Sequence, residues 1–125
     1  MKPIPLKILN QECIHKRVTK DDWQAETTVS YTLENVYIEP SNSLVKTKEN
    51  TEVVASSMLF YDMVNSKCKL VDAEAVIIFN YDDIITFNSI DYRIIKIDPI
   101  YQADLTTIHH YELYLRWYNE CGSTN

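Results

Sequence analysis

Thr107-Ile108-His109-His110-Tyr111-Glu112-Leu113-Tyr114-Leu115-Arg116-Trp117 is the longest run of alternating character in the chain. Its odd positions read Tyr111, Leu113, Leu115 and Trp117, and its even positions His110, Glu112, Tyr114 and Arg116. A period of two sends successive side chains to opposite faces of an extended backbone, so the run predicts a long strand with one buried face. The 3.6-residue spacing of an amphipathic helix is nearly absent elsewhere, and the chain reads as all-β.

The same period recurs toward the N-terminus, with interruptions that carry information. Tyr92 and Ile94 lie on one parity and Ile95 and Ile97 on the other, as in a strand that changes surface or is covered on both sides. Between Glu26 and Glu39, Val29, Tyr31 and Leu33 give way to Val36 and Ile38, a phase slip at Glu34-Asn35 that predicts a β-bulge or a sharp bend. Further strands are expected over Glu12–Val18, Val53–Val64 and Asp83–Phe87, the last joined to Ile90–Ile97 by a hairpin turn at Asn88-Ser89. Glycine is almost missing, so Asn and Asp must supply the turns, and Asn65-Ser66, Asn80-Tyr81-Asp82 and Asp98-Pro99 are read as breaks. Strands that bend in this way are typical of a small antiparallel β-barrel.

The organisation expected is an extended N-terminal arm over residues 1–11, a barrel over 12–118 and a C-terminal tail over 119–125. Pro3 and Pro5 keep the arm out of any ladder, with one helical turn around Leu6–Asn10. Residues 41–52 form a long polar loop between two long strands. Only Leu44 and Val45 could pack there, too little apolar area to offset an ordering cost of about 1–2 kcal/mol per residue, so a mobile loop is predicted.

The chain has 125 residues, 46% of them hydrophobic, enough for one core and too few for two domains. Its single glycine, Gly122, excludes every phosphate-wrapping glycine loop and the G-x-S-x-G elbow. The net charge of -6 is uneven: the first twenty residues are net +4, which leaves -10 on the rest. An acidic body does not dock tightly on nucleic acid, whose affinity comes mainly from phosphate neutralisation. Cys13, Cys68 and Cys121 are odd in number and widely spaced, which predicts free thiols in a reducing compartment. No apolar run suggests a signal peptide or a membrane span, and a cytoplasmic protein is expected.

No residue pattern argues for catalysis. His109 and His110 are adjacent, so on a strand their rings should point apart and could not converge on a metal or a substrate. Cys13 and His15 share a face but lack two further zinc ligands. Asp21-Asp22 and Asp82-Asp83 read as solvated turns, and no serine or cysteine stands beside a base. The chain is therefore expected to be no enzyme and to take no metal and no cofactor. Trp23, in the polar segment Lys20-Asp21-Asp22-Trp23-Gln24, either packs under the barrel rim or anchors an interface. Pro3, Pro5, Trp117 and Tyr118 are the other interface candidates.

Several segments read together resemble the minor capsid proteins of tailed phages and Gram-positive prophages that act as head-completion, or stopper, subunits. The matching stretches are Pro3-Ile4-Pro5 with Leu9, Asp21-Asp22-Trp23, Leu33 to Ser41, and Leu59-Phe60-Tyr61-Asp62 with Asn65-Ser66. Asp83 to Asn88, Tyr92 to Pro99 and His109-His110-Tyr111-Glu112 complete them. At Asn88-Ser89-Ile90 the family often has a glycine, and this chain departs from it. The resemblance implies a structural virion component: a β-barrel subunit, several copies of which form a ring under the portal, close the DNA-filled head and receive the tail. Its partners are then further copies of itself, portal or adaptor proteins of the head, and tail-completion proteins. DNA passes through without sequence-specific binding and no membrane is involved. The place is the virion neck, after assembly in the host cytoplasm. In such a ring, copies of Leu44 and Val45 would pack around the axis and shut the channel, with Lys46 and Lys48 facing phosphates. The competing reading is a small OB-like barrel that binds nucleic acid or sugar. It needs basic residues alternating with aromatics on one strand face, a pattern not read in the sequence.

Overall fold

The computed structural model describes residues 2–47 and 49–118. Lys48, Cys121 and the expected tail over 119–125 lie outside the described residues. Among the described residues ten strands follow one another, with hydrogen-bonded turns as the only other regular structure up to Trp117. They are β1 (Gln11–Lys20), β2 (Glu26–Pro40), β3 (Leu44–Lys46), β4 (Glu52–Val54) and β5 (Ser57–Asp62), then β6 (Lys67–Leu70), β7 (Ala73–Glu74), β8 (Ile84–Phe87), β9 (Ile90–Tyr101) and β10 (Ile108–Trp117). Every pairing is antiparallel. The large sheet runs β1-β8-β9-β10-β5-β2-β6-β7, and β1 also pairs with β2, so the pairings return on themselves through β1, β8, β9, β10, β5 and β2. Inside that cycle lies the main core, where Leu33, Leu59, Ile85, Ile94, Leu113 and Leu115 are fully buried.

Both phase slips are bulges. Against β1, Gln11 faces Val36 and Cys13 faces Leu33, so two residues of β2 oppose one of β1. Asn35 takes φ 56° there, a conformation that asparagine tolerates better than most residues. On β9 the partners Lys96↔Tyr114 and Ile94↔Leu115 leave Ile95 as the extra residue. Its side chain turns to the opposite surface, where it packs with Val45 and Ala55. The Asn88-Ser89 turn has both φ angles positive, 52° and 64°, in a two-residue loop between the paired Phe87 and Ile90. This is the hairpin geometry whose twist matches the flanking strands, reached here without glycine.

The structure corrects several expectations. Residues 41–52 are not a free loop: β3 pairs with β4, and Val45 is only 7% exposed against Ala55 and Ile95. The apolar area missing from that window is supplied by residues outside it. Leu44 is 62% exposed, Lys46 is exposed at the end of β3, and Lys48 lies outside the described residues. The expected strand over Val53–Val64 is broken at Ala55-Ser56 into β4 and β5, which belong to different sheets. β9 does not stop at Asp98-Pro99 but runs through it, with Pro99 opposite Tyr111. Proline is tolerated because the β8 ladder ends at Arg93, which leaves that edge of β9 unpaired at Pro99. The single helical turn expected around Leu6–Asn10 is present: the Ile8 and Leu9 amides, three and four residues on, both donate to the Pro5 carbonyl. Leu9 is buried.

Candidate functional site

Three places gather polar chemistry or exposed aromatic surface. The first is internal. His15 on β1 is 1% exposed and its Nε2 donates to Asp83 Oδ2 at 2.7 Å. Arg17 Nη2, at 3.2 Å, and the Asn80 amide, at 3.0 Å, donate to the same oxygen. Asp83 is thus not a solvated turn residue like its exposed neighbour Asp82; the pair splits across the surface. Burial pushes its carboxyl up, but the hydrogen bonds from His15, Arg17 and Asn80 outweigh this and hold it below the usual carboxylate range. His15 also stacks on Tyr31, 5.7 Å between ring centres, and meets the tilted Phe79 ring at 5.2 Å.

A His–Asp pair beside a cysteine invites a nucleophile reading, since Cys68 and His15 line one small cavity. Two facts disfavour it. Burial pushes the Cys68 thiol up, away from the thiolate that chemistry needs. The cavity, of about 20 Å³, has room for one water molecule and no substrate. Cys13 is likewise in the core, its thiol pushed up to about 12 by burial and by Glu12. Among the described residues no group of three or more His, Cys, Asp or Glu side chains could hold a metal ion.

The second place is the seat of the N-terminal arm. His109 is the extra residue of a bulge in β10, between Ile108↔Tyr101 and His110↔Ile100. The bulge cancels the alternation that should have parted the two rings, and His109 Nδ1 lies 2.7 Å from His110 Nδ1. His109 Nε2 donates to the Lys2 carbonyl and His110 Nε2 to Glu112 Oε2 at 2.9 Å. Asp62, fully buried, accepts from the Ile4 amide through Oδ1 and from Val64 and Asn65 through Oδ2. Asn65 Nδ2 donates back to the Ile4 carbonyl at 2.7 Å. The arm is thereby fastened to its own domain, with Pro3 and Pro5 exposed on either side of Ile4. Removing the Asp62 carboxylate should free it. In Asp62→Ala, trypsin should cut after Lys7 about tenfold faster or more, because the Ile4, Val64 and Asn65 amides lose their acceptor together.

The third place is the surface. Trp23 is 88% exposed at the tip of the β1–β2 hairpin, not packed under a rim. The turn that carries it is rigid: Asp21 Oδ1 accepts from the Trp23 and Ala25 amides, and Gln24 adopts φ 65°. Trp117 and Tyr118 are part-exposed at the end of β10, with the Arg93 guanidinium 4.9 Å from the Tyr118 ring. Lys96 lies 5.4 Å from the Tyr114 ring. Arg93 faces Arg116 and Lys96 faces Tyr114 across β9 and β10, so a basic-aromatic surface exists that was not legible strand by strand. It arises because the Ile95 bulge brings Arg93 and Lys96 to one side.

Among the described residues no helix is long and apolar enough to cross a membrane. No curated protein and no solved structure matches the chain. One family model does, over residues 5–115, and its description is minor capsid protein.

Proposed function

From the premise that the chain belongs to the minor capsid protein family, and so is a structural component of a virion, we propose that it is a head-completion, or stopper, subunit of a tailed phage or prophage. The observation that carries this is the family match over residues 5–115, nearly the whole folded domain. In this reading the cycle of strand pairings is a closed barrel. Several copies form a ring under the portal in the virion neck, meeting portal or adaptor proteins on one side and tail-completion proteins on the other. Catalysis has no part in it.

Two features support the reading. The -10 charge carried beyond residue 20 suits a channel that must let DNA slide, since a wall that neutralised phosphates would retain it. The β3–β4 hairpin suits a gate: Val45 anchors it to Ile95 while Leu44 and Lys46 project from it. The test is a head-filling assay with a chain lacking residues 47–50, a deletion that spares Val45. Heads should still bind the shortened chain but leak their DNA, whereas heads without any of the chain leak and take no tail. Heads that stay full and infectious with the deletion would reject the gate. Heads that never bind the intact chain would reject the stopper role.

A further inference from the structure

A basic face of the sheet and the acidic tip of the β1–β2 hairpin complement one another across two molecules. The face is built by register. Lys16 of β1 lies opposite Ile84 of β8, Ile84 opposite Arg93 of β9, and Arg93 opposite Arg116 of β10, so the four side chains form one row on the outer surface. No acid stands in that row. Arg93 faces a like charge directly across the strands, which costs stability and favours an anion held against it. Among the described residues neither Lys16 nor Arg93 is paired with a carboxylate, and the Arg93 guanidinium lies instead over the Tyr118 ring. Beside the row, Trp117 and Tyr118 face Ser89, Ile90 and Asp91 of the β8–β9 turn across a cleft of about 470 Å³. Ile90, Trp117 and Tyr118 are all exposed there.

The hairpin tip carries the matching chemistry. Asp21 and Asp22 are exposed beside Trp23, the large apolar side chain most open to water among the described residues. Lys20 is paired with Glu26 and Arg17 with Asp83, so the cations of the strand below leave the tip acidic. Asp21 Oδ1 keeps the turn rigid through the Trp23 and Ala25 amides, which presents Asp22 and Trp23 together. We propose that the Asp22-Trp23 tip of one copy docks on the Lys16-Arg93-Arg116 row of the next, with the indole in the adjoining cleft. Carboxylate then meets guanidinium, and indole meets the Trp117 and Tyr118 rings. Asp91, the one acid lining the cleft, accepts from Thr86 and serves as acceptor for the indole N–H. The chain cannot make this contact with itself. The cleft is level with Ile14, which lies opposite Thr86 and so in line with Asp91, whereas β1 stays paired with β2 up to Lys20, six residues or about 20 Å of strand farther on. A contact between two different surfaces of identical copies is head-to-tail, and it closes into a ring when the rotation allows. Nucleic acid is the weaker occupant, because the chain as a whole carries a charge of -6 and repels phosphates. The inference rests on the ring of the stopper reading and adds the contact that builds it.

The experiment is sedimentation across a concentration series at low salt, with charges reversed on either side of the contact. The parent chain should self-associate, and added salt should weaken the association. Asp22→Arg and Arg93→Glu should each weaken it about tenfold or more. Trp23→Ala should weaken it about thirtyfold or more, the loss typical of truncating an anchor. Asp22 and Trp23 are exposed, so their variants keep the fold, and Lys16→Glu replaces Arg93→Glu if the latter does not fold. A mixture of the two charge reversals should associate again, because the intact tip of one meets the intact face of the other and the two reversed surfaces also match. Parent-like association of Asp22→Arg or Trp23→Ala, no recovery in the mixture of folded variants, or a parent chain that stays monomeric would each overturn the contact. Binding of a DNA duplex that Arg93→Glu loses and Trp23→Ala keeps would assign the face to nucleic acid and overturn it as well. If folded variants that no longer self-associate still complete heads, the contact does not build the ring and the stopper reading stands without it. If no chain binds heads while the reversals and their mixture behave as expected, the contact stands without the stopper reading.

Discussion

Asp83→Ala should cost the folded chain about 3–5 kcal/mol, the usual price of stripping a buried ion pair of one partner. For a domain of this size that lowers the melting temperature by roughly 10 °C or more. The carboxylate is 6% exposed and one of its oxygens is shared by His15, Arg17 and the Asn80 amide. Alanine leaves the His15 donor, on a side chain 1% exposed, without the carboxylate acceptor. Arg17 keeps the Ile78 carbonyl, so its loss is smaller. Asp83→Asn retains one carbonyl acceptor without the charge, and thermal unfolding should place it between the wild type and alanine. If alanine costs less than about 1 kcal/mol, as an exposed pair would, the network does not hold β1 to the segment before β8.

The same carboxylate fixes the direction of a pH effect. Its pKa is lower in the folded chain than in the unfolded one, because the bonds from His15, Arg17 and Asn80 outweigh burial. Its contribution is therefore complete above the unfolded value and is lost as the pH falls through the folded one. The wild type should lose stability in acid more steeply than Asp83→Asn, as measured by urea midpoints across the acid range. Asp104 titrates in the same direction, held at about 2 by the Thr106 and Thr107 amides, but it is fully exposed and sets no part of this contrast.

His15 and Asp83 are 68 residues apart, and nothing in either local sequence announces that they meet. A turn residue followed by an apolar run looks the same whether its carboxylate faces water or a buried imidazole. The bulges at Asn35 and Ile95 were legible because each moves an apolar side chain to the other parity, and parity is what a sequence displays. The bulge at His109 was not. It falls at the start of β10, before the alternation is established, and moves a histidine whose placement on either face looks reasonable. β6 and β7 were missed for lack of length, since four residues and two residues carry no period. The segment 75–79 is hidden in a continuous apolar run, although Ala75, Ile77 and Phe79 face the core and Val76 and Ile78 face out. Trp23 was singled out because it breaks the pattern around it, but only coordinates could show that it faces water.

Leu113→Ala should be as costly as the loss of Asp83, about 2–5 kcal/mol, for a different reason. Leu113 is fully buried at the middle of β10, opposite Leu59 on β5 and Ile97 on β9, so three strands converge on its side chain. Removing it forfeits the transfer energy of its methyl groups and leaves a cavity that paired strands on both sides cannot collapse to fill. Leu59→Ala should cost a similar amount. The double variant should cost less than the two together, because both truncations open one shared space. Leu44→Ala, at a 62% exposed position, should be nearly silent in the same urea titration. That contrast separates the side chain that holds the domain together from the one that projects from the hairpin. If Leu44→Ala were as destabilising as Leu113→Ala, Leu44 would be packed inside the domain and would not project from the hairpin to meet its copies around a channel.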